Sequence, residues 1–499
     1  MADRVSVLNR GTAPSVTDDR RDFFLDLNLN QILDKMAIRW GQAIRKLHAY
    51  FPEDAEGSAY RRSVYADVKK DEIYDCCMTF MEKLGELEEI RAQKSKVKSN
   101  MQTSVWQIRE IDVYCRAFEY LRDGLSAAKP ESEGLSGFLA FLQEYLASER
   151  YQKMKNDCST LLRELLDFRF TITYEKDRMS VSLEKSAGAY EEFLRTNGEQ
   201  DRPKLVSPFF VNNMITELEN ACLEILSKKR PDIFKALEDK AEKYKDYEDD
   251  TLMLFYREVP FYLSFRGFQW EMAQQGYRFC TPEVEEGKRM EADGLYDLAL
   301  AGVAIREGRK VVANSMYYGE GESFFVLTGP NQGGKTTFAR SLGQLVYFTK
   351  MGLDVPAEHA NVHYFKDIQT HFSVEESIET GRGKLKEELI RLGPMMEEHK
   401  SNTFVIINEL FTTAASYDAR IMGGKVLKHF IGLGCRGIYV THLKELTEID
   451  PRVVSLRAML NEDHLQSFEI RRSAAEESAC AANQVNKYRL TYEQLKERL

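Results

Sequence analysis

Val326-Leu327-Thr328-Gly329-Pro330-Asn331-Gln332-Gly333-Gly334-Lys335-Thr336-Thr337 decides how this chain is read. A short apolar, strand-like run enters G-x-x-x-x-G-K-T, and Phe338-Ala339-Arg340-Ser341-Leu342-Gly343-Gln344 continues as a helix. That order is what the motif requires. The glycines let successive backbone N–H groups curl toward phosphate oxygens, Lys335 reaches the β- and γ-phosphates, and Thr336 offers its hydroxyl to Mg²⁺. The stretch implies a nucleoside triphosphate site with residues 329–337 as its cradle.

Two further apolar runs end in polar residues downstream. Thr403-Phe404-Val405-Ile406-Ile407-Asn408-Glu409-Leu410 is a strand closing on a carboxylate. A phosphate site needs one acidic group for the metal's water shell and a second to polarise the attacking water. Asn408 stands at the first of these positions, a neutral amide that keeps the shape and loses the charge, and Glu409 stands at the second. Gly437-Ile438-Tyr439-Val440-Thr441-His442 is again a strand with a polar tip, and His442 is expected to face the γ-phosphate.

Upstream, residues 1–20 read as an arm and residues 21–165 as a mostly helical domain, broken near Pro52-Glu53-Asp54 and Lys129-Pro130-Glu131. Apolar residues at Ile73, Cys77, Phe80, Met81, Leu84 and Leu87 recur at helical spacing. From Phe168 to Leu183 the period becomes two, predicting a hairpin or small sheet about residues 175–178. Charged helices follow over 212–228 and from Pro231 to Asp250, and a boundary is expected near residue 290. Strand-like Lys310-Val311-Val312-Ala313 and Ser323-Phe324-Phe325-Val326-Leu327 then open the nucleotide domain.

Over 499 residues, 69 basic against 79 acidic side chains give a net charge of 69 − 79 = −10. This excludes a wholesale basic coat for nucleic acid but not a local basic surface. The basic clusters of the first half, Lys94, Lys96 and Lys98 beside Arg91, and Lys228-Lys229-Arg230, suit solvated faces or phosphate contact. Eight cysteines without C-x-x-C spacing fit a reducing compartment. With no secretory h-region and no apolar run long enough for a membrane span, a cytoplasmic setting without membrane association is expected.

These elements resemble the MutS family of DNA mismatch-repair ATPases. The family P-loop G-P-N-M-G-G-K-S-T is similar to Gly329-Pro330-Asn331-Gln332-Gly333-Gly334-Lys335-Thr336-Thr337. Its D-E-x-G-R-G-T-S-T-Y-D-G aligns with residues 408–419, its T-H-Y-x-E-L with residues 441–446, and its asparagine before the P-loop strand with Asn314. The resemblance implies an α/β ABC-type P-loop ATPase domain over 291–499 with a dimerising C-terminus near Ser478 and residues 492–499. It implies a mostly helical core and lever over 21–165 and a clamp-like segment over 166–290. It also implies ATP and Mg²⁺ as cofactors, with Glu409, His442 and Lys335 catalytic, Asn314 and residues 329–337 binding nucleotide, and Thr336 and Asn408 holding the metal, Asn408 through water.

The chain departs from the pattern at three places. No segment corresponds to the family's N-terminal mismatch-reading domain, so mismatch recognition by an inserted phenylalanine is not expected. Asn408 replaces the aspartate, so turnover is expected to be slow. The trans-acting signature G-R-S-T-F aligns with Gly381-Arg382-Gly383-Lys384-Leu385, where Gly383 replaces the serine; amide groups at Gly383 and Lys384, opening a helix, would substitute for its hydroxyl. The implied function is a homodimeric ATP-gated clamp on mismatched, branched or recombining DNA, serving a downstream repair protein. The alternative is an ATP-dependent switch on a protein partner, and a P-loop kinase or transferase ranks below both.

Overall fold

A computed structural model describes residues 5–10, 22–97, 100–166, 170–175, 178–183, 224–285, 287, 289–372, 383–397, 401–461, 465–475 and 496. The chain forms two compact units, one of Met1–Lys69, Ser132–Gly134 and Glu258–Leu499, the other of Lys70–Glu131 and Leu135–Arg257.

The first unit begins with helices α1 (Phe23–Asp26), α2 (Leu29–Trp40), α3 (Ala43–Ala49) and α4 (Ala55–Val68). Asp54 caps α4, its carboxylate accepting from Gly57 N–H at 2.8 Å, which satisfies one of the amides a helix start leaves open. The break predicted at residues 52–54 is therefore a helix start.

The second unit holds α5 (Asp71–Lys94), α6 (Asn100–Ala128), most of α7 (Glu133–Ala147), α8 (Glu149–Leu166), the antiparallel pair β1 (Phe170–Glu175) and β2 (Arg178–Leu183), α9 (Pro231–Lys243) and most of α10 (Asp250–Glu258). Its core is aromatic: Phe80 meets Phe118 at 5.0 Å between ring centroids and Phe138 stacks on Phe255 at 3.9 Å. Lys94 pairs with the buried Glu110 at 3.2 Å and Arg230 with Asp232 at 2.7 Å, so part of each basic cluster is already neutralised. Most of the helix expected over 212–228 lies outside the described residues, as do Lys98, Ser478 and, apart from Lys496, residues 492–499.

The first unit resumes with α11 (Pro260–Gln274) and two sheets. The smaller is ordered β3 (Glu283–Val284), β7 (His359–Val362), β4 (Met290–Leu295), β5 (Asn314–Tyr318), with α12 (Leu298–Arg306) between β4 and β5 in the chain. The strand expected at residues 310–313 starts instead at Asn314; Lys310, Val311 and Val312 carry no ladder partner and line a cavity. The larger sheet runs β12 (Gln466–Arg472), β11 (Val453–Leu460), β6 (Phe324–Thr328), β10 (Arg436–Val440), β9 (Thr403–Asn408), β8 (Asp367–Phe372), antiparallel only between β11 and β12. Every residue of β6 and β9 is buried, the continuous apolar pattern of parallel strands covered on both faces.

Register sets the site. Val440 lies opposite Leu327 on one side and Asn408 on the other, so β6, β10 and β9 end level and deliver their next residues to one sheet edge. Against that sheet packs α13 (Lys335–Met351), buried along nearly its whole length. The N-terminal helices cover its other side: Gln344 Nε2 donates to Leu27 O at 3.0 Å, Tyr347 Oη to His48 O at 2.8 Å, and Ser58 Oγ to Thr349 O at 2.9 Å. Residues 22–69 thus form the wall that holds the P-loop helix. Beyond β8, α14 (Lys384–Glu397) and α15 (Ser416–Gly432) flank the β9 side of the sheet.

Candidate nucleotide site

The loop 329–334 leaves buried β6 and turns into α13. Gly329 has φ 132°, and a Cβ there would come within 3.0 Å of Ala458 N, so the loop's close approach to β11 demands glycine. Gln332 and Gly334 are also left-handed, at φ 60° and 85°. Lys335 is 5% exposed and folds back to donate to Gly329 O at 3.0 Å and Pro330 O at 2.8 Å. A lysine this buried is stable only with oxygen partners, and here the loop's own carbonyls supply them.

At the ends of the neighbouring strands the other predicted residues converge. Thr336 Oγ1 donates to Asn408 Oδ1 at 3.1 Å. Glu409 follows with φ 54°, its N–H bonded to Val440 O at 2.9 Å. Its carboxylate lies 3.4 Å from His442 Nε2. Lys335, Thr336, Glu409 and His442 all border one cavity of about 590 Å³, which also takes in residues 331–334 and Thr337.

Asn314 borders the same cavity, with its amide engaged in structure: Nδ2 donates to Phe468 O at 3.1 Å and Oδ1 accepts from Ile470 N–H at 2.7 Å. The side chain staples β5 to β12 and so fixes Phe468, itself left-handed at φ 60°, over Gly334. Gly383 opens α14, its carbonyl accepting from Lys386 N–H at 2.9 Å, and does not border the cavity. The Lys384 side chain, Gly381 and Arg382 lie outside the described residues.

The sequence reading missed the far wall, which comprises Tyr296, Asp297, Leu300, Ala304, the 309–312 segment and Phe468. Asp297 caps α12, Oδ1 accepting from Ala299 N–H at 2.9 Å and from Gln344 Nε2 at 3.0 Å. Burial raises its carboxyl above the ordinary range despite these bonds. An aspartate before the apolar run 298–305 is an N-cap signature; Phe468 carries no comparable signal.

The donor set suits a magnesium nucleotide. A helix N-terminus, a glycine loop and a lysine supply the positive field for phosphates. The Thr336 hydroxyl and the Asn408 amide oxygen supply hard oxygen donors, and the cavity's apolar wall supplies a place for a base.

Parallel strands ending level at a glycine loop, with a lysine, a threonine hydroxyl, a carboxylate and a histidine gathered there, define a P-loop ATPase-type domain. Residues 325–483 match the family described as MutS domain V. Over that domain the chain is similar to the MutS family. It is similar to the DNA mismatch repair protein MutS of Lactobacillus delbrueckii subsp. bulgaricus, 26% identical over 31% of this chain and 18% of that protein. It is 32% identical to the DNA mismatch repair protein MSH6 of Arabidopsis thaliana over 33% of this chain and 13% of that protein. MutS of Fervidobacterium nodosum matches at 26% identity over 35% and 20%. The alignments thus span about a fifth or less of these relatives' lengths. Among the described residues, no helix is long and apolar enough to cross a membrane.

Proposed function

We propose that this chain is an ATP-dependent DNA-binding protein whose ABC-type ATPase domains close on each other in a homodimer. The observation that carries the reading is the gathering of Lys335, Thr336, Asn408, Glu409 and His442 at one sheet edge inside the domain V match. Lys335 exchanges its two loop carbonyls for phosphate oxygens, and the amides of residues 331–336 cradle the rest. Thr336 and, through water, Asn408 would hold Mg²⁺, which would supply positive charge beside the nucleotide phosphates. Glu409 orients the attacking water and His442 faces the γ-phosphate. Gly383 and Lys384 reach the partner copy's nucleotide through amides at the start of α14. With Asn408 neutral, hydrolysis is slow and serves to reset a conformation that ATP binding has set.

Affinity for mismatched, branched or recombining DNA comes from phosphate contacts and DNA shape, with little base readout. A second reading, a switch on a protein partner, draws support from the net charge of −10 and from the pairing of Lys94 and Arg230 with acidic neighbours. A gel-shift panel of homoduplex, mismatched duplex and four-way junction, with and without ATP, separates the two. Steeply salt-dependent binding with DNA-stimulated ATPase supports the clamp; no binding to any of the three leaves the protein-directed switch.

A further inference from the structure

Glu409 and Phe411 both sit in the left-handed region, at φ 54° and 62°, on either side of Leu410. Residues with a Cβ avoid that conformation, so two in a three-residue turn require outside anchors. One is Val440 O, which accepts the Glu409 N–H. The other comes from α14: Glu388 Oε2 accepts the Phe411 N–H at 3.1 Å.

Glu388 is 1% exposed, an uncommon place for a carboxylate. It sits one helical turn past Lys384, on the helix whose Leu392 and Met395 enter a single core with Val405, Ile407, Leu410, Phe411 and Tyr439. Its backbone carbonyl also lies 3.2 Å from His371 Nε2 on β8. Burial first, and then the charge of Glu388, holds the Tyr439 phenol in its neutral form. One buried side chain therefore bridges α14 to the turn that presents Glu409.

We propose that Glu388 is a positioning residue for hydrolysis: by fixing the Phe411 N–H it sets the turn that aims the Glu409 carboxylate at the phosphate, and so couples α14, which opens at Gly383, to the attacking water. The proposal rests on the ATP-hydrolysing reading above. Its consequence is that a shift of α14 at the dimer face changes turnover in the same chain.

Two near-isosteric variants of the full chain separate the hydrogen bond from the charge. Glu388→Gln keeps an acceptor oxygen at the same reach and loses the charge; Glu388→Asp keeps the charge and draws the oxygen back by one methylene. Displacing a reacting group by about 1 Å can cost on the order of 10²-fold in rate. Glu388→Asp is therefore expected to lower kcat by about 10- to 100-fold with ATP Kd and KM within about threefold of the parent, and Glu388→Gln to retain kcat within about fivefold. Equal turnover in Glu388→Asp and the parent overturns the proposal, as does a Glu388→Gln loss as deep as that of Glu388→Asp or a fall in kcat matched by loss of ATP binding. A parent chain whose turnover equals that of Glu409→Gln sinks the hydrolytic reading itself, a result obtained before either Glu388 variant is measured.

Discussion

The hydroxyl of Thr336 donates to the amide oxygen of Asn408 across 3.1 Å, joining the start of the P-loop helix to the end of β9. A carboxylate in place of that amide would accept the same bond and add a negative charge toward the metal, and charge-assisted bonds are roughly twice as strong as neutral ones. Asn408→Asp is expected to raise the Mg²⁺-dependent hydrolysis rate about tenfold, equivalent to about 1.4 kcal/mol at the barrier. It should also weaken metal-free nucleotide binding, because the new charge then faces bare phosphates. Steady-state ATPase assays with and without Mg²⁺ check both; an unchanged or lower rate contradicts the role given to Asn408.

Lys335 is the one cationic side chain of the P-loop, and it is held by two loop carbonyls. Those bonds are replaceable, since phosphate oxygens accept from an ammonium more strongly than neutral carbonyls do. In the parent, ATP at about 100 times its Kd is expected to stabilise the fold by about 2.7 kcal/mol, readable as a rise in Tm. Lys335→Ala should lose that rise while folding in the absence of nucleotide. A variant with the parent's ATP-induced shift would remove Lys335 from phosphate binding.

Lys335, Thr336, Glu409 and His442 were legible in sequence because each follows a buried apolar strand, Glu409 at once, His442 after Thr441, and Lys335 and Thr336 across the glycine loop, and strand ends in a parallel sheet share an edge. The helical first half was legible for a related reason, apolar spacing that survives without knowledge of partners. What remained hidden depends on contacts distant along the chain. Asn314 reads as a nucleotide ligand by alignment, yet its amide braces β12 through Phe468 and Ile470. Residues 310–313 look like a strand because Val311 and Val312 are β-branched, and they become cavity wall because no neighbouring strand pairs with them. Glu388 reads as one more charge on an amphipathic helix; only the fold of residues 408–411 gives it a buried amide to hold.

Two buried histidines make the first unit sensitive to acid. Burial lowers His48 to about 3 and His371 to about 4, below an unfolded value near 6.5. Unfolding therefore takes up protons as pH falls below about 6.5, and stability drops by about 1.4 kcal/mol per pH unit for each histidine until its folded value is reached. Asp26 and Asp297, raised by burial, act in the opposite sense at lower pH, so the diagnostic is a difference between variants. His48→Leu, which removes the group packed 4.5 Å from the Phe261 ring, should flatten the slope of denaturation free energy between about pH 5 and 6.5 by about one histidine's worth. Parallel profiles for parent and variant would mean that folding leaves the proton occupancy of His48 unchanged.

Glu409 and His442 lie 3.4 Å apart at the ends of adjacent strands, and the substitutions of side chains this close are expected not to add. Glu409→Gln keeps the side chain's size and its reach to the imidazole while removing the base that orients water. General-base contributions amount to about 10²- to 10⁴-fold, so kcat should fall by that order with ATP Kd little changed, leaving a chain that binds ATP and rarely releases phosphate. His442→Ala should lower kcat less, because Lys335 remains to take phosphate charge. In the Glu409→Gln background the same histidine substitution should cost almost nothing further, since attack on the γ-phosphate that His442 is proposed to face is then no longer base-assisted. Single-turnover phosphate release across the four proteins measures the coupling. Strictly additive losses would place the two side chains in separate steps, and a Glu409→Gln variant with parental turnover would assign the attacking water to another group.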